Sequence, residues 1–345
     1  MNNPLVSIIL PVSNESTYIE RVLSAILNQD YPFDCMEIFI IDGMSTDNTR
    51  AIIYDFITLH TQLQIHVLDN PGKIVSIGIN IALQQVKGNI IIRVDGHTFI
   101  APDYVRQCVE ILQRSGADNV GGKMNAIGDN LFSKAVALAT SVLFGVGWGR
   151  FHYSVKEEWV DTVYMGAWPR QVFEKIGLFD EELVRDQDDE FNYRLRKYGG
   201  RILLSPAIQS EYTVRSTTPG VLWKQYYQYG FWKVRVLQKH SFQMSLRQFV
   251  PPVFVLALLL SVTLLFIPVL RFLSPIVFLV YLFINLGISL WIVSKRSWQL
   301  LPFLLLIFAI LHFSYGVGFL VGLLKFSNRW GDKQGKTPTF ESKHA

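Results

Sequence analysis

Leu5-Val6-Ser7-Ile8-Ile9-Leu10-Pro11-Val12-Ser13-Asn14-Glu15, Glu37-Ile38-Phe39-Ile40-Ile41-Asp42-Gly43 and Asn89-Ile90-Ile91-Ile92-Arg93-Val94-Asp95-Gly96-His97 share one form: a short apolar run ending in a polar, acidic loop. A further apolar run lies at residues 65–68. Helical stretches at residues 16–29, 47–59 and 74–86 separate these runs. Turn signals mark the joins, at Tyr31-Pro32, Asp69-Asn70-Pro71-Gly72 and Lys87-Gly88. Apolar, β-branched strands alternating with helices predict an α/β fold with a mostly parallel central sheet covered on both faces. In such sheets ligands bind beyond the carboxyl ends of the strands. The loops after the first, second and fourth runs then share one edge, and their side chains converge. From residue 101 to 247 the pattern is less regular, with a strand near 118–124 and a helix near 187–198 the clearest pieces.

The 345 residues are 50% hydrophobic and 17% charged, against about 25% charged in an ordinary soluble domain. Charged side chains nearly vanish between Arg247 and Lys325. Apolar stretches at 249–270, 276–293 and 300–324 each approach the ~20 residues that cross a bilayer. The expected organisation is a catalytic domain over residues 1–240, a membrane region of about three apolar helices over 241–330, and a polar tail over 331–345. Net charge is +4 and pI is near 8.9, without the basic stripe of a nucleic-acid binder. Lys233, Arg235, Lys239 and Arg247 precede the first apolar stretch and suit an anionic membrane surface. They place the N-terminal domain on the cytoplasmic side of the inner or plasma membrane. Three full spans would then put Lys325, Arg329, Lys333 and Lys336 outside, against the positive-inside rule, so two crossings is the alternative. Cys35 and Cys108 give neither a disulfide framework nor metal-ligand spacing, and the N-terminus reads as a strand, not a signal peptide.

The first loop lacks Gly-x-Gly-x-x-Gly, and no Walker loop is present, so dinucleotide and P-loop sites are disfavoured. A diphosphate can instead be held through a divalent cation, Mg²⁺ or Mn²⁺. Asp95 and His97, two apart after a strand, can both reach one ion. Asp186-Gln187-Asp188-Asp189-Glu190 opens a helix with an apolar stripe at Phe191, Leu195 and Tyr198. Periodicity turns Asp188 inward, where a carboxylate at a helix start suits a general base. Glu190 is placed to pair with Arg194 on the solvent side. Each of these loops, taken alone, also reads as a helix cap or common turn.

Together these residues resemble a family-2 glycosyltransferase of the GT-A fold. The resemblance is carried by Pro11-x-x-Asn14-Glu15, Asp42-Gly43-x-Ser45-x-Asp47, Asn80-x-Ala82, Val94-Asp95-Gly96-His97, Gly121-Gly122, Phe179-Asp180-Glu181 and Gln187-Asp188-x-Glu190. Arg93-Val94-Asp95-x-His97 and Tyr229-Gly230-Phe231-Trp232-Lys233 are most similar to the succinoglycan-type β-glucosyltransferases of exopolysaccharide biosynthesis. The resemblance implies an inverting, metal-assisted transfer of a sugar, glucose in that subgroup, from a UDP-sugar to a lipid-linked saccharide or lipid acceptor. A polyprenyl-phosphate acceptor and an inactive nucleotide-binding scaffold are the alternatives. Pro11, Asn14, Glu15, Asp42 and Asp95 would bind the nucleotide-sugar, Asp95 and His97 the metal, and Asp188 would be the catalytic base. Trp168, Gln187, Tyr229 and Lys233 are the candidate acceptor-side residues. Trp148 and Trp159 read either as sugar-stacking or as core residues. The family's usual Asp-x-Asp is Asp-x-His here, and Gln187 stands where an acid is common. The aromatics at 226–232 fit a belt at lipid headgroups.

Overall fold

The computed structural model describes residues 3–147, 149–242, 245–263, 267 and 273–340. The chain forms two compact units: Met1–Asn125, Arg150–Tyr212 and Gln334–Ala345 in the first, Ala126–Gly149 and Thr213–Lys333 in the second. The strands are β1 (Val6–Val12), β2 (Met36–Asp42), β3 (Gln64–Asp69), β4 (Ile90–Arg93), β5 (Thr98–Ile100), β6 (Asn119–Ile127), β7 (Glu158–Val160), β8 (Tyr164–Pro169) and β9 (Ile202–Thr213). The helices are α1 (Ile19–Leu27), α2 (Thr49–Leu59), α3 (Val75–Leu83), α4 (Tyr104–Ser115), α5 (Leu131–Thr140), α6 (Leu143–Val146), α7 (Gln171–Ile176), α8 (Gln187–Lys197), α9 (Pro219–Lys239), α10 (Val250–Thr263), α11 (Leu273–Val293) and α12 (Leu301–Lys325).

One sheet, ordered β3-β2-β1-β4-β8-β6-β9-β5 with β7 on β9, organises the first unit. The alternation seen in the sequence is its parallel half, because β1 pairs parallel with both β2 and β4, and β2 with β3. The other half is antiparallel: β8 against β4 and β6, and β9 against β5 and β7. The sheet is thus mixed. Four residues separate β4 from β5, too few for a parallel crossover, and β5 joins β9 instead. Register brings the polar loops level. Val12 lies beside Asp42, so β1 and β2 end level, and Ile9 lies beside Arg93, so the chain leaving β4 runs on toward the same edge through Val94 and Asp95. Behind them, Ile9, Phe39, Ile91, Phe173, Phe179 and Phe191 form one buried core.

Residues 334–340 belong to this unit and are no free tail. Leu178 donates its N–H to the Pro338 carbonyl (3.0 Å), Glu181 to that of Lys336 (2.9 Å), and the Lys336 N–H reaches Asp180 Oδ1 (2.9 Å). Phe340 packs against the core, with the Arg170 guanidinium 5.0 Å above its ring.

The second unit departs from the expected boundary at residue 240. It includes α9, since α9 and α12 lie side by side. Gly318 sits on the Tyr227 carbonyl, Gly230 on the Tyr315 carbonyl, and Gly322 on that of Phe231. Small residues at these points let two backbones approach as they do between membrane helices. Arg235 is fully buried and reaches Asp332 (3.4 Å), while Gln238 donates to the Phe326 carbonyl (2.7 Å). The aromatic run at 226–232 therefore supplies helix packing: Phe231 and Trp232 both meet Phe326. A β-branched side chain at Gly318 has no room. Gly318→Val is expected to destabilise the protein by about 3 kcal/mol, read as a lower thermal midpoint of the detergent-purified chain, whereas Gly220→Ala, at an open position, leaves it near wild type.

Candidate active site

Asp42, the last residue of β2, is fully buried. Its carboxylate accepts the Ser45 hydroxyl (2.5 Å) and N–H (3.1 Å), and pairs with the Arg50 guanidinium (2.9 Å), which also reaches Asp69 (2.6 Å). Arg50 thus ties the ends of β2 and β3. The loops after β1 and β2 interlock. Asn14 and Met44 both adopt left-handed backbone (φ 53° and 59°), the Asn14 N–H donates to Ser45 Oγ (2.9 Å), and Asn14 Oδ1 accepts the Thr46 N–H (2.8 Å). Asp47 completes the brace, accepting from the Ser16 and Thr49 N–H groups. Burial pushes its carboxyl up, but those bonds and the Thr49 hydroxyl outweigh this and lower its pKa to about 2.

Glu15 is buried and bonds His97 Nδ1 (3.1 Å). Gly96 permits this approach, because a Cβ there would stand 2.9 Å from Glu15 Cγ. A histidine giving its Nδ1–H to a carboxylate presents Nε2 as a lone pair. Arg93, the last residue of β4, carries the site's central cation. Its Nε donates to Asp95 Oδ1 (2.8 Å) and its Nη1 to Asp188 Oδ1. Tyr164, on β8, donates to Asp95 Oδ2 (3.2 Å). Asp186, in left-handed backbone (φ 61°), turns the chain into α8 and sets Asp188 in its first turn. The Asp188 side chain keeps 37% of its surface exposed, against 8% for Arg93, so an incoming hydroxyl can reach it. Burial raises the Asp188 pKa; Arg93 opposes this, while Asp95 and Asp189 add to it. For Asp95 burial is overcome by Arg93 and His97, and its pKa falls.

The chain has known relatives. The description "Glycosyl transferase family 2" matches residues 7–176. A dolichyl N-acetyl-alpha-D-glucosaminyl phosphate 3-beta-D-2,3-diacetamido-2,3-dideoxy-beta-D-glucuronosyltransferase of Methanococcus voltae is 30% identical over 243 residues, 69% of this chain and 75% of that protein. The chain belongs to glycosyl transferase family 2. The succinoglycan biosynthesis protein ExoA of Rhizobium meliloti (strain 1021) is similar to this glycosyltransferase along nearly its whole length, 27% identical over 93% of this chain and 96% of ExoA. A mannosyltransferase of Pyrobaculum calidifontis, solved with GDP-Man and Mn²⁺, shares the GT-A fold with a TM-score of 0.56, at 18% identity over 90% of this chain and 88% of that one.

In this family-2 glycosyltransferase Glu15, Asp95, His97 and Asp188 form one connected cluster, and Asn14 joins the Asp42 loop to it. Pro11 lies in β1 beside Ile41, shaping the strand end. Trp168 is a correction: at 3% exposure it stands edge-on to Phe173, Phe179 and Phe191, in the core and out of reach of a sugar. Trp159 is half exposed beneath the Arg201 guanidinium, and Trp148 lies outside the described residues. Gln187 is buried at the start of α8. Tyr229 and Lys233 lie on α9 in the second unit, Tyr229 accepting from Gln225 (2.9 Å). The Glu190–Arg194 pair forms, but inside the protein: Glu190 is 2% exposed, and Arg194 also donates to the carbonyls of Ile176 and Leu178. Those carbonyls supply the reason, since only a long cation can satisfy them there. Arg93, Arg50 and Tyr164 went unassigned as site residues. An arginine two positions before Asp95, on the same strand face and at the end of an apolar run, is the signal the sequence offers for Arg93; nothing local marks Tyr164. Replacing Arg93 by Met should cost about 3 kcal/mol at pH 7, because two carboxylates lose their cation. Asp95's lowered pKa contributes stability above its unfolded value and loses it as pH falls. Denaturant midpoints of mutant and wild type should therefore converge below about pH 4.

Proposed function

We propose that this glycosyltransferase is an inverting enzyme that moves a sugar, glucose, from a UDP-sugar to a lipid-linked saccharide or lipid acceptor at the cytoplasmic membrane face. One observation carries the reading: Asp188, accessible and at a helix start, is held by the same guanidinium as Asp95. This supports reading Asp188 as a base beside the donor end of the site. The names of the two relatives, one in succinoglycan biosynthesis and one acting on a dolichyl-linked phosphosugar, agree with a lipid-linked saccharide.

Asp42, with Arg50 and Ser45 fixing its carboxylate, and Asn14 and Glu15 in the interlocked loop would bind the nucleoside. A divalent cation, Mg²⁺ or Mn²⁺, fits the donor set of Asp95 and His97. His97 has its Nδ1 committed to Glu15, and each Asp95 oxygen keeps a second lone pair. Among the described residues no three or more acidic, His or Cys side chains converge for a metal, so the diphosphate oxygens would complete the shell. Bound there, the cation would offset charge on the departing diphosphate. Asp188 would take the proton from the acceptor hydroxyl as that oxygen attacks the anomeric carbon from the face opposite the leaving group. Arg93 holds its carboxylate in place and favours its ionised form against burial. Gln187 and Tyr229 are kept as acceptor-side candidates, whereas Lys233 is buried in α9, as Trp168 is in the core.

The test is a panel of nucleotide-sugars with Mg²⁺ or Mn²⁺ on detergent-purified protein. Asp188→Asn should lower kcat about 10²–10⁴-fold while UDP binding stays within a few-fold. The acidic limb of the wild-type rate profile should fall as pH drops through the raised Asp188 pKa, since the base must be ionised. An ionised polyprenyl-phosphate acceptor would instead leave Asp188→Asn nearly as active as wild type, and the base assignment would be wrong. His97→Ala should weaken Mn²⁺ binding in the presence of UDP about tenfold or more, measured by titration calorimetry.

A further inference from the structure

Among the described residues, three helices are long and apolar enough to cross a membrane: Leu246–Thr263, Pro275–Val293 and Trp298–Lys325. Protein buries only 17% and 22% of the first two, but 50% of the third. We infer that the bilayer is crossed twice, by an α10–α11 hairpin, and that α12 does not cross but lies along the cytoplasmic membrane face beside α9.

Three independent features of the chain carry this. First, α9 and α12 run parallel: Tyr227 meets Gly318, Phe231 meets Gly322 and then Phe326, and Arg235 meets Asp332. A helix parallel to α9 can pass through the bilayer only if α9 does too. Yet α9 carries Lys224 and, in its last turns, Lys233, Arg235 and Lys239, these three buried against protein, a concentration of cations that suits a helix at the membrane surface better than one in hydrocarbon.

Second, α10 and α11 both oppose α12 in direction. Phe249 and Phe254 of the α10 arm meet Phe319 and Phe313. Tyr281 and Asn285 of α11 bond His312 (2.9 Å) and the Leu305 carbonyl (3.0 Å). Phe254 and Tyr281 stack at 4.7 Å, so α10 and α11 touch each other as well as α12. If the two cross the bilayer in opposite senses, both can meet α12 in this order only by crossing it obliquely. With the hairpin upright in the bilayer, α12 lies across it.

Third, the chain starts and finishes this excursion at the same body. β9 ends at Thr213 and α9 begins at Pro219. Lys325 ends α12, and by residue 336 the chain is bonded to Asp180 of the catalytic unit. An even number of crossings follows. Charge agrees. Lys239 and Arg247 precede α10, Lys295 and Arg296 join α11 to α12, and Lys325 and Lys333 follow α12, all then on one side. The connection between α10 and α11, residues 264–272, holds Arg271 alone among charged residues.

Single cysteines in a Cys35→Ser, Cys108→Ala background test the topology in sealed cells with a membrane-impermeant maleimide. Ile267→Cys, at the hairpin turn, should react from outside. Ser297→Cys and Lys333→Cys should react only after detergent. Labelling of Lys333→Cys from outside means an odd number of crossings and overturns the inference. So does labelling of Ser297→Cys from outside, which makes α12 a span. So does an Ile267→Cys that stays silent until detergent is added, which means the hairpin does not cross.

Discussion

The guanidinium of Arg93 is the interaction on which the rest of the site depends. Asp95 and Asp188 lie far apart in the chain, and two carboxylates close together in a largely buried setting repel strongly. A planar, permanently charged group at the end of β4 removes that conflict by giving one N–H to each. It does so without taking either carboxylate wholly out of use, because Asp188 keeps over a third of its side chain open. Lysine could not reproduce this, since its ammonium is a point charge with no fixed fork. The strand end, the loop after it and the first turn of α8 are thereby one mechanical piece.

Around this piece the loops are stiffened from the other side. Arg50 repeats the device at the ends of β2 and β3, holding Asp42 and Asp69 together. The left-handed backbone at Asn14, Met44 and Asp186 shows where the chain is bent out of its ordinary range. In each case hydrogen bonds from a neighbouring loop or the turn into a helix hold the bend. A transferase must recognise a flexible nucleotide-sugar in one pose, and rigid walls reduce the entropy lost on binding.

How much of this the sequence revealed follows from the range of each interaction. The parallel half of the sheet was legible because each strand repeats one local pattern, and the acidic loops of Glu15, Asp42 and Asp95 sit at the ends of those strands. The start of α8 and the role offered to Asp188 followed from helical periodicity. Of the antiparallel half only the strand near 118–124 was legible, and its pairing was not, because β8, β6 and β9 find one another over long sequence separations with no alternation to announce it. Glu190 and Arg194 look like a surface pair at i,i+4, and only the carbonyls of Ile176 and Leu178 show why they are buried. The aromatics of α9 have the composition of a membrane belt, yet Gly230, Gly318 and Gly322 turn them toward α12. Arg93 was visible as a letter but not as a bridge, since a bridge requires knowing both banks.

The docked segment at residues 334–340 has a consequence for biogenesis. Phe340 completes the core of the first unit, and the backbone of 336 and 338 holds the loop that leads into α8. These residues are translated after every apolar helix. While the ribosome is still making those helices, the catalytic unit lacks the piece that closes it. Its folding therefore finishes only after the last apolar helix has been made, and a nascent chain stalled before residue 334 would carry an unsealed enzyme.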